Sequence, residues 1–261
     1  MLNKNNKIEI IPIFIKDNIS QKSNITKIIL KAIDQSNNNI KDTDIIVIAQ
    51  KIISKSEGRF VDLNYIKPSQ KATEIAAHVR KDAKLVHLIL KESKKIVKIF
   101  NNNIIVETKH GFICANAGID KSNVDKNKNQ VLLLPEDPDK SANKIRKEVK
   151  KITKKDISVV ISDTFGRPFR NGQTNIAIGI SGINPVCSYI GKKDMFGHEL
   201  RVTEIAIVDE IAGASELVMR KTNKVPVAIV RGLKYSKNKS KIKYILRDEK
   251  LDMFRTNYTT R

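Results

Sequence analysis

The stretch 161–172, ISDTFGRPFRNG, concentrates side chains that could do chemistry. Asp163 and Thr164 set a carboxylate beside a hydroxyl, and Arg167 and Arg170 place two guanidinium groups a few residues further on. Carboxylate and hydroxyl oxygens are hard donors suited to a divalent cation. Guanidinium forks match phosphate and carboxylate oxygens. The set suits a metal ion and a phosphorylated substrate, although an Asp at a strand end also commonly caps a turn. A second acid, Asp120, follows the apolar run FICANAGI and precedes the polar KSN. Two such carboxylates from distant stretches are what a divalent-metal site needs. Lys51 and Lys55 share one face if their segment is helical, and could then clamp phosphate oxygens as point charges. In a lysine-rich chain the ordinary alternative is a pair of solvated lysines.

The elements that must position these groups read as alternating strands and helices. A β-branched run at 157–162 leads into Asp163 as a buried strand, and Gly166 and Pro168 are expected to break regular structure after it. DIIVIA (44–49) is a second short apolar strand, running directly into the Lys51 segment. KIEIIPIFI (7–15) reads as an opening strand whose Pro12 fits an edge or a bulge. Helical spacing marks 25–33, 68–80, 82–93 and about 135–153, with acids early and bases late in the last of these. Two β-rich runs, 94–100 and 104–108, flank an Asn turn as a hairpin. Shorter strands are expected at 131–134, 175–183 and 225–230. The segment 202–219 reads as the longest helix, 234–243 as a mobile Lys/Ser/Asn-rich stretch, and 244–254 as a short closing helix. The small residues Ala115, Ala117 and Gly118 would let the backbone ahead of Asp120 approach another backbone or a ligand. His78 and His87 sit in helical stretches and are assigned no role.

At 261 residues, with 40% hydrophobic and 30% charged residues, the chain can bury a substantial core and is globular in composition. No apolar run approaches the roughly 18 residues of a membrane span. The start, MLNKNNKIEI, has no apolar signal region. Cys114 and Cys187 form no CxxC pattern and read as reduced thiols in a cytoplasmic protein. The net charge of +21 invites a nucleic-acid reading. Several features weigh against specific nucleic-acid binding. Lys greatly outnumbers Arg, the lysines are spread along the chain, aromatics make up 5%, and Trp is absent. An anionic small molecule suits the same charge. There is no GxxxxGK[ST] loop, GxGxxG, HExxH or GxSxG.

Longer motifs carry a more specific signal: IISKSEGR (52–59), ETKHGFICANAGIDKSNV (107–124), LLLPEDPDKSANKIR (132–146), ISDTFGRPFRNGQTNIAIG (161–179), DEIAGASELVM (209–219) and VPVAIVRGL (225–233). In this order, over nearly the whole chain, they resemble the coenzyme F420-0:L-glutamate ligase family. DEKLDMFR (248–255) is similar to that family's terminus, so one ligase domain over 1–261 is expected, with no nitroreductase-like domain after it.

The resemblance implies an α+β fold with mixed sheets and packed helices, in an intertwined homodimer. It implies GTP as phosphoryl donor, two Mg2+ or Mn2+ ions, and K+ as a monovalent helper. The reaction it implies joins L-glutamate to coenzyme F420-0, and then a second glutamate through a γ-linkage, by way of an acyl phosphate. Carried across by motif, Asp120 and Asp163 look like ligands of one metal and Thr164 of a second. Gln50, Lys51, Lys55 and Asn123 match nucleotide-contacting positions, as does the run Met219, Arg220, Lys221, Thr222, Asn223, Lys224, Val225 and Pro226. Arg167 and Arg170 are read from their chemistry as holding glutamate carboxylates or the substrate phosphodiester. No catalytic base is named. The chain departs from the family's pattern in two places. The nucleotide contact after the first strand is not carried over onto Phe14 to Asp17. Lys221 matches a position that is metal-binding in some members, and a protonated lysine would face a phosphate instead. A related amide ligase with another carboxylate acceptor is the alternative, and a basic nucleic-acid-binding protein the more distant one.

Overall fold

The computed structural model describes residues 7–121 and 129–252. Its frame is a five-stranded mixed sheet in the order β1-β12-β2-β8-β9. In chain order the elements are β1 (Glu9–Ile13), α1 (Ile25–Gln35), β2 (Ile45–Ala49), α2 (Gln50–Ser56), β3 (Phe60–Asp62), α3 (Gln70–Val79), α4 (Ala83–Lys91), β4 (Ser93–Phe100), β5 (Asn103–Thr108) and β6 (Ile113–Ala115). They continue with β7 (Gln130–Leu132), α5 (Pro138–Thr153), β8 (Ser158–Arg167), β9 (Arg170–Ser181), β10 (Cys187–Ser188), β11 (Glu204–Ile205), α6 (Ile207–Met219) and β12 (Val227–Arg231). The expected α+β class is the one observed.

Among the described residues only β2 and β8 pair in parallel, from Ile45 opposite Ser158 to Ala49 opposite Ser162. Ile45 to Ile48 are all buried, as continuous apolar runs in a doubly covered sheet should be. α1, α5 and α6 supply that cover, and their apolar stripes join the main core. β1 lies at one edge, where Pro12 costs the ladder least. The opposite edge is β9, whose outward N–H groups would invite pairing with another chain. Two carboxylates cover it: Asp209 accepts from Ala177 N–H at 2.9 Å and Asp139 from Ile180 N–H at 2.8 Å. Burial raises both carboxyls above the usual Asp range, most strongly opposed by these same backbone bonds. A second core forms where α3 and α4 pack on the β4-β5-β6 sheet.

Several sequence expectations are corrected here. β8 does not end at Asp163: pairing with β2 stops at Ser162, but pairing with β9 carries the strand to Arg167. Pro168 and Phe169 make the hairpin turn, a position where the missing proline N–H breaks no ladder bond. The 202–219 helix begins only at Ile207, because Glu204 and Ile205 pair with β10; α5, with 16 residues, is the longest. α5 starts at Pro138 behind an Asp137 cap, and α3 at Gln70 behind a Ser69 cap, so Pro68 precedes its helix. Short 3-10 turns, Ile242–Ile245 and Glu249–Leu251, stand where a closing helix was expected, whose remainder lies outside the described residues. Within 234–243, Tyr235 hydroxyl meets Ser158 Oγ at 2.9 Å and Ile242 packs into the core.

One buried ion pair locks the sheet's far end. Arg231 on β12 grips Asp44 with two bonds, 2.9 Å from Nε and 2.7 Å from Nη2, and Asp44 is 1% exposed. Removing the guanidinium leaves a buried carboxylate unpaired, so Arg231→Ala should destabilise the protein by about 3 kcal/mol in denaturant unfolding. A loss under about 1 kcal/mol would show that water reaches Asp44 freely.

Candidate active site

The parallel pairing of β2 and β8 decides what stands at the sheet's working end. Its last rung is Ala49 opposite Ser162, so Gln50 and Asp163 follow it side by side, where β2 gives way to α2 and β8 runs on beside β9 alone. Open sheets place their ligands there, because the chain leaves in loops and helices that part around a crevice. A cavity of about 990 Å3 occupies this position.

Each wall has a local cause. β2 passes directly into α2, which turns Lys51 and Lys55 toward the cavity on one helical face. Asn116, Ala117 and Gly118 all have positive φ, at 53°, 56° and 67°, and this tight turn delivers Asp120 to the opening. Gly118 is required by packing as well as by φ, since a Cβ there would meet Leu134 at 2.9 Å. Asp120 is anchored through its backbone by a reciprocal pair of 2.9 Å bonds with Leu132. After α6, Arg220 and Lys224 take positive φ and fold the chain back across the sheet, where Ala49 N–H donates to Pro226 O at 2.8 Å.

Two polar clusters meet in the cavity. In the first, Gln50 Nε2 donates to Asp120 Oδ2 at 3.1 Å, and Lys51 Nζ lies 3.2 Å from Asp120 Oδ1. Ser54 Oγ donates to Gln50 Oε1 at 2.8 Å and so fixes the amide's orientation. In the second, Thr164 Oγ1 donates to Asn175 Oδ1 at 2.7 Å, and Asn175 Nδ2 donates to Glu216 Oε2 at 2.9 Å. Lys221 Nζ bonds Thr164 Oγ1 and lies 3.3 Å from Glu216 Oε1.

Asp163 lies between them electrostatically. Burial pushes its carboxyl up to about 7, and the charge of Asp120 pushes the same way; the Thr164 backbone bond, Lys51 and Lys221 oppose it. Lys55 is held below the usual lysine value, by burial first and then by the charge of Lys51. Cys114, on the same wall, is pushed up to about 12 by burial and by Asp163, which keeps it a thiol rather than a nucleophile.

Asp120, Asp163, Thr164, Gln50, Lys51, Lys55, Met219, Arg220, Lys221, Thr222, Lys224, Val225 and Pro226 all line this one cavity. Asn223 is in the same loop but off the wall, its side chain paired with Thr222. Asn123 lies outside the described residues. Arg167 and Arg170 stand at the hairpin end, off the cavity wall, where Arg167 Nη2 donates to Asn171 O at 3.2 Å. Sequence reasoning missed Asn175, Glu216, Ser162 and the segment 15–19, all on the wall. Asn175 and Glu216 sit inside the recognised motifs, but only pairing across β8–β9 and α6 shows that they meet Thr164 and Lys221.

The residues fit a hard divalent cation. Two carboxylates from separate elements face one space, neither neutralised by an arginine fork. Ser162 Oγ is buried beside them without a hydrogen-bond partner. Among the described residues no third His, Cys, Asp or Glu joins the pair, so phosphate or water oxygens would complete the shell.

The chain is similar to known proteins over most of its length. The family model for F420-0:gamma-glutamyl ligase matches residues 15–232. Similar proteins include the coenzyme F420:L-glutamate ligase of Methanocaldococcus jannaschii, 48% identical over 217 residues that cover 83% of this chain and 86% of the relative. Those of Methanothermobacter thermautotrophicus and Methanosarcina mazei are 43% and 41% identical, over 88% and 91% of this chain and 92% and 91% of theirs.

The raised carboxyl of Asp163 makes a stability prediction for the metal-free protein. Below an ordinary Asp pKa of 3.8 the residue is protonated folded or unfolded and costs nothing. As pH rises from there to about 7, the unfolded chain ionises first, and folding stability falls. Asp163→Asn removes this loss, so without metal its Tm should exceed the wild type's at pH 8, with the gap narrowing as pH falls and vanishing near 3.8. Added Mg2+ should raise the wild-type Tm and leave the variant's unchanged. A pH-independent gap would mean the carboxyl is well solvated.

Proposed function

The chain belongs to the F420-0:gamma-glutamyl ligase family, and we propose that the cavity beyond β2 and β8 is where it ligates L-glutamate to coenzyme F420-0. Its activity is that of a coenzyme F420:L-glutamate ligase. The observation that carries the site is the convergence of Asp120 and Asp163 on one cavity with two lysines of α2 and the loop after α6.

Amide formation from a carboxylate needs activation, because a carboxylate oxygen leaves poorly. In our reading the γ-phosphoryl group of GTP passes to a carboxylate oxygen of F420-0, the bond to the β-phosphate breaks, and GDP leaves. The amine of glutamate then attacks the acyl carbon, the C–N bond forms, the C–O bond to phosphate breaks, and inorganic phosphate departs. Asp120 and Asp163 would hold Mg2+ or Mn2+, with K+ as monovalent helper. A divalent ion held there supplies charge neutralisation to the phosphate oxygens. Lys51 and Lys55 face the same space as point charges on the polyphosphate. Gln50 and Lys51 hold Asp120 in place, so both phosphate contact and metal geometry depend on α2 following β2 without a loop. The loop 219–226 closes the nucleotide side. Arg167 and Arg170 lie past Gly166 and Gln173, which line the cavity's edge, and there they would meet carboxylates or a phosphodiester reaching outward.

We extend the reading to a homodimer. Phe169, Met195 and Val202 are between 87% and 89% exposed, apolar surface of the kind a second copy would cover.

The direct test follows glutamate addition to F420-0 by mass with GTP and Mg2+ present. Asp163→Asn should lower turnover by about 100-fold or more at saturating metal; near-normal turnover would remove Asp163 from the metal site. Arg167→Ala should raise the KM for F420-0 or glutamate with kcat nearly kept. Unchanged kinetics would place the hairpin end outside substrate reach.

A further inference from the structure

The second polar cluster has the make-up of a cation site already filled. Thr164 spends its hydroxyl hydrogen on Asn175 Oδ1, which leaves its lone pairs for a positive charge. Asn175 cannot turn its amide around, because Nδ2 is committed to Glu216 Oε2 at 2.9 Å and the residue is buried. Three oxygens therefore converge: a hydroxyl, an amide carbonyl and a carboxylate. These are donor types that a hard cation takes. Lys221 Nζ sits among all three, on Thr164 Oγ1, 3.4 Å from Asn175 Oδ1 and 3.3 Å from Glu216 Oε1. An ammonium has three N–H donors, one for each oxygen.

We propose that the Lys221 ammonium is a built-in cation occupying the second cation position of the cavity, so that the chain takes up one divalent ion, at Asp120 and Asp163, rather than two. This rests on the reading of that carboxylate pair as a metal site. The lysine follows α6 directly and Glu216 lies within it, so helix and loop together deliver both halves of the ion pair. Its charge also reaches Asp163, as a cation beside the metal position must. Unlike a metal ion, it is tethered, and its presence does not depend on metal concentration. The two expected divalent ions become one ion and one lysine, with Thr164 as the lysine's partner.

The test counts Mn2+ bound per full-length chain, by equilibrium dialysis with saturating GDP. Wild type should bind one ion. Lys221→Gln, which removes the ammonium and supplies a neutral amide oxygen, should bind two, and Lys221→Ala should also gain an ion. Both changes fall in a loop at a largely exposed side chain, so folding is not at stake. Two ions in the wild type, or no gain in either variant, overturns the proposal. Asp163→Asn reports separately on the underlying reading. It should lose the wild type's ion, whereas retention there would count against the carboxylate pair and leave the Lys221 comparison to stand on its own gain or lack of it.

Discussion

Two carboxylates, Asp120 and Asp163, share one partly buried space, and the site's architecture follows from making that tolerable. Like charges in a poorly solvated cavity repel, and burial penalises each. The protein divides the burden unequally. Asp120 is held by Gln50 and Lys51. Among the described residues Asp163 has no such pair, and its carboxyl is raised to about 7. A cation placed beside one held and one strained carboxylate would relieve that repulsion.

The frame supplies this geometry through one topological feature. The parallel pairing of β2 with β8 stops at Ala49 and Ser162, so Gln50, which opens α2, and Asp163, which continues β8, follow that last rung side by side. Antiparallel neighbours on either side extend the sheet without disturbing that end. The long β8–β9 hairpin then carries Thr164 and Asn175 opposite one another, which the Glu216 and Lys221 contacts from α6 and its following loop complete. Asp139 and Asp209 stabilise the same hairpin from outside by satisfying the edge of β9. Buried acids thus serve two ends here, structural at the sheet edge and chemical at the crevice.

The net charge of +21 takes on a narrower meaning in this setting. Most of its lysines are spread over the surface, where salt screens them. A few, Lys51, Lys55 and Lys221 among them, face one cavity, where several positive charges act together on an anion. The overall basicity raises the local concentration of anions, and the cavity selects among them.

Much was legible in the chain itself. The apolar runs at 44–49 and 157–162 are strands because continuous β-branched residues bury best in a covered sheet, and the helices begin where Ser69, Asp82 and Asp137 can cap them. The site's residue types were legible too, since Asp120, Asp163, Thr164 and the lysines of α2 stand out chemically and lie in motifs long enough to mark a family. The limits of β8 and α6 were not legible. Gly166 and Pro168 are local breakers, but pairing with β9 carries the strand through Gly166 so that the break comes only at Pro168, and pairing with β10 takes the first residues of the expected helix. Nor could sequence show that Asn175, Glu216 and Lys221 form one oxygen-lined seat for a charge. Asn175 is distant in the chain from Glu216 and Lys221, and only the register of β8 on β9, with α6 packed beside it, brings their atoms within bonding distance. The sequence by itself determined which chemistry was available; tertiary structure decided where each charge is held, because hydrogen-bond partners and burial are properties of neighbours in space.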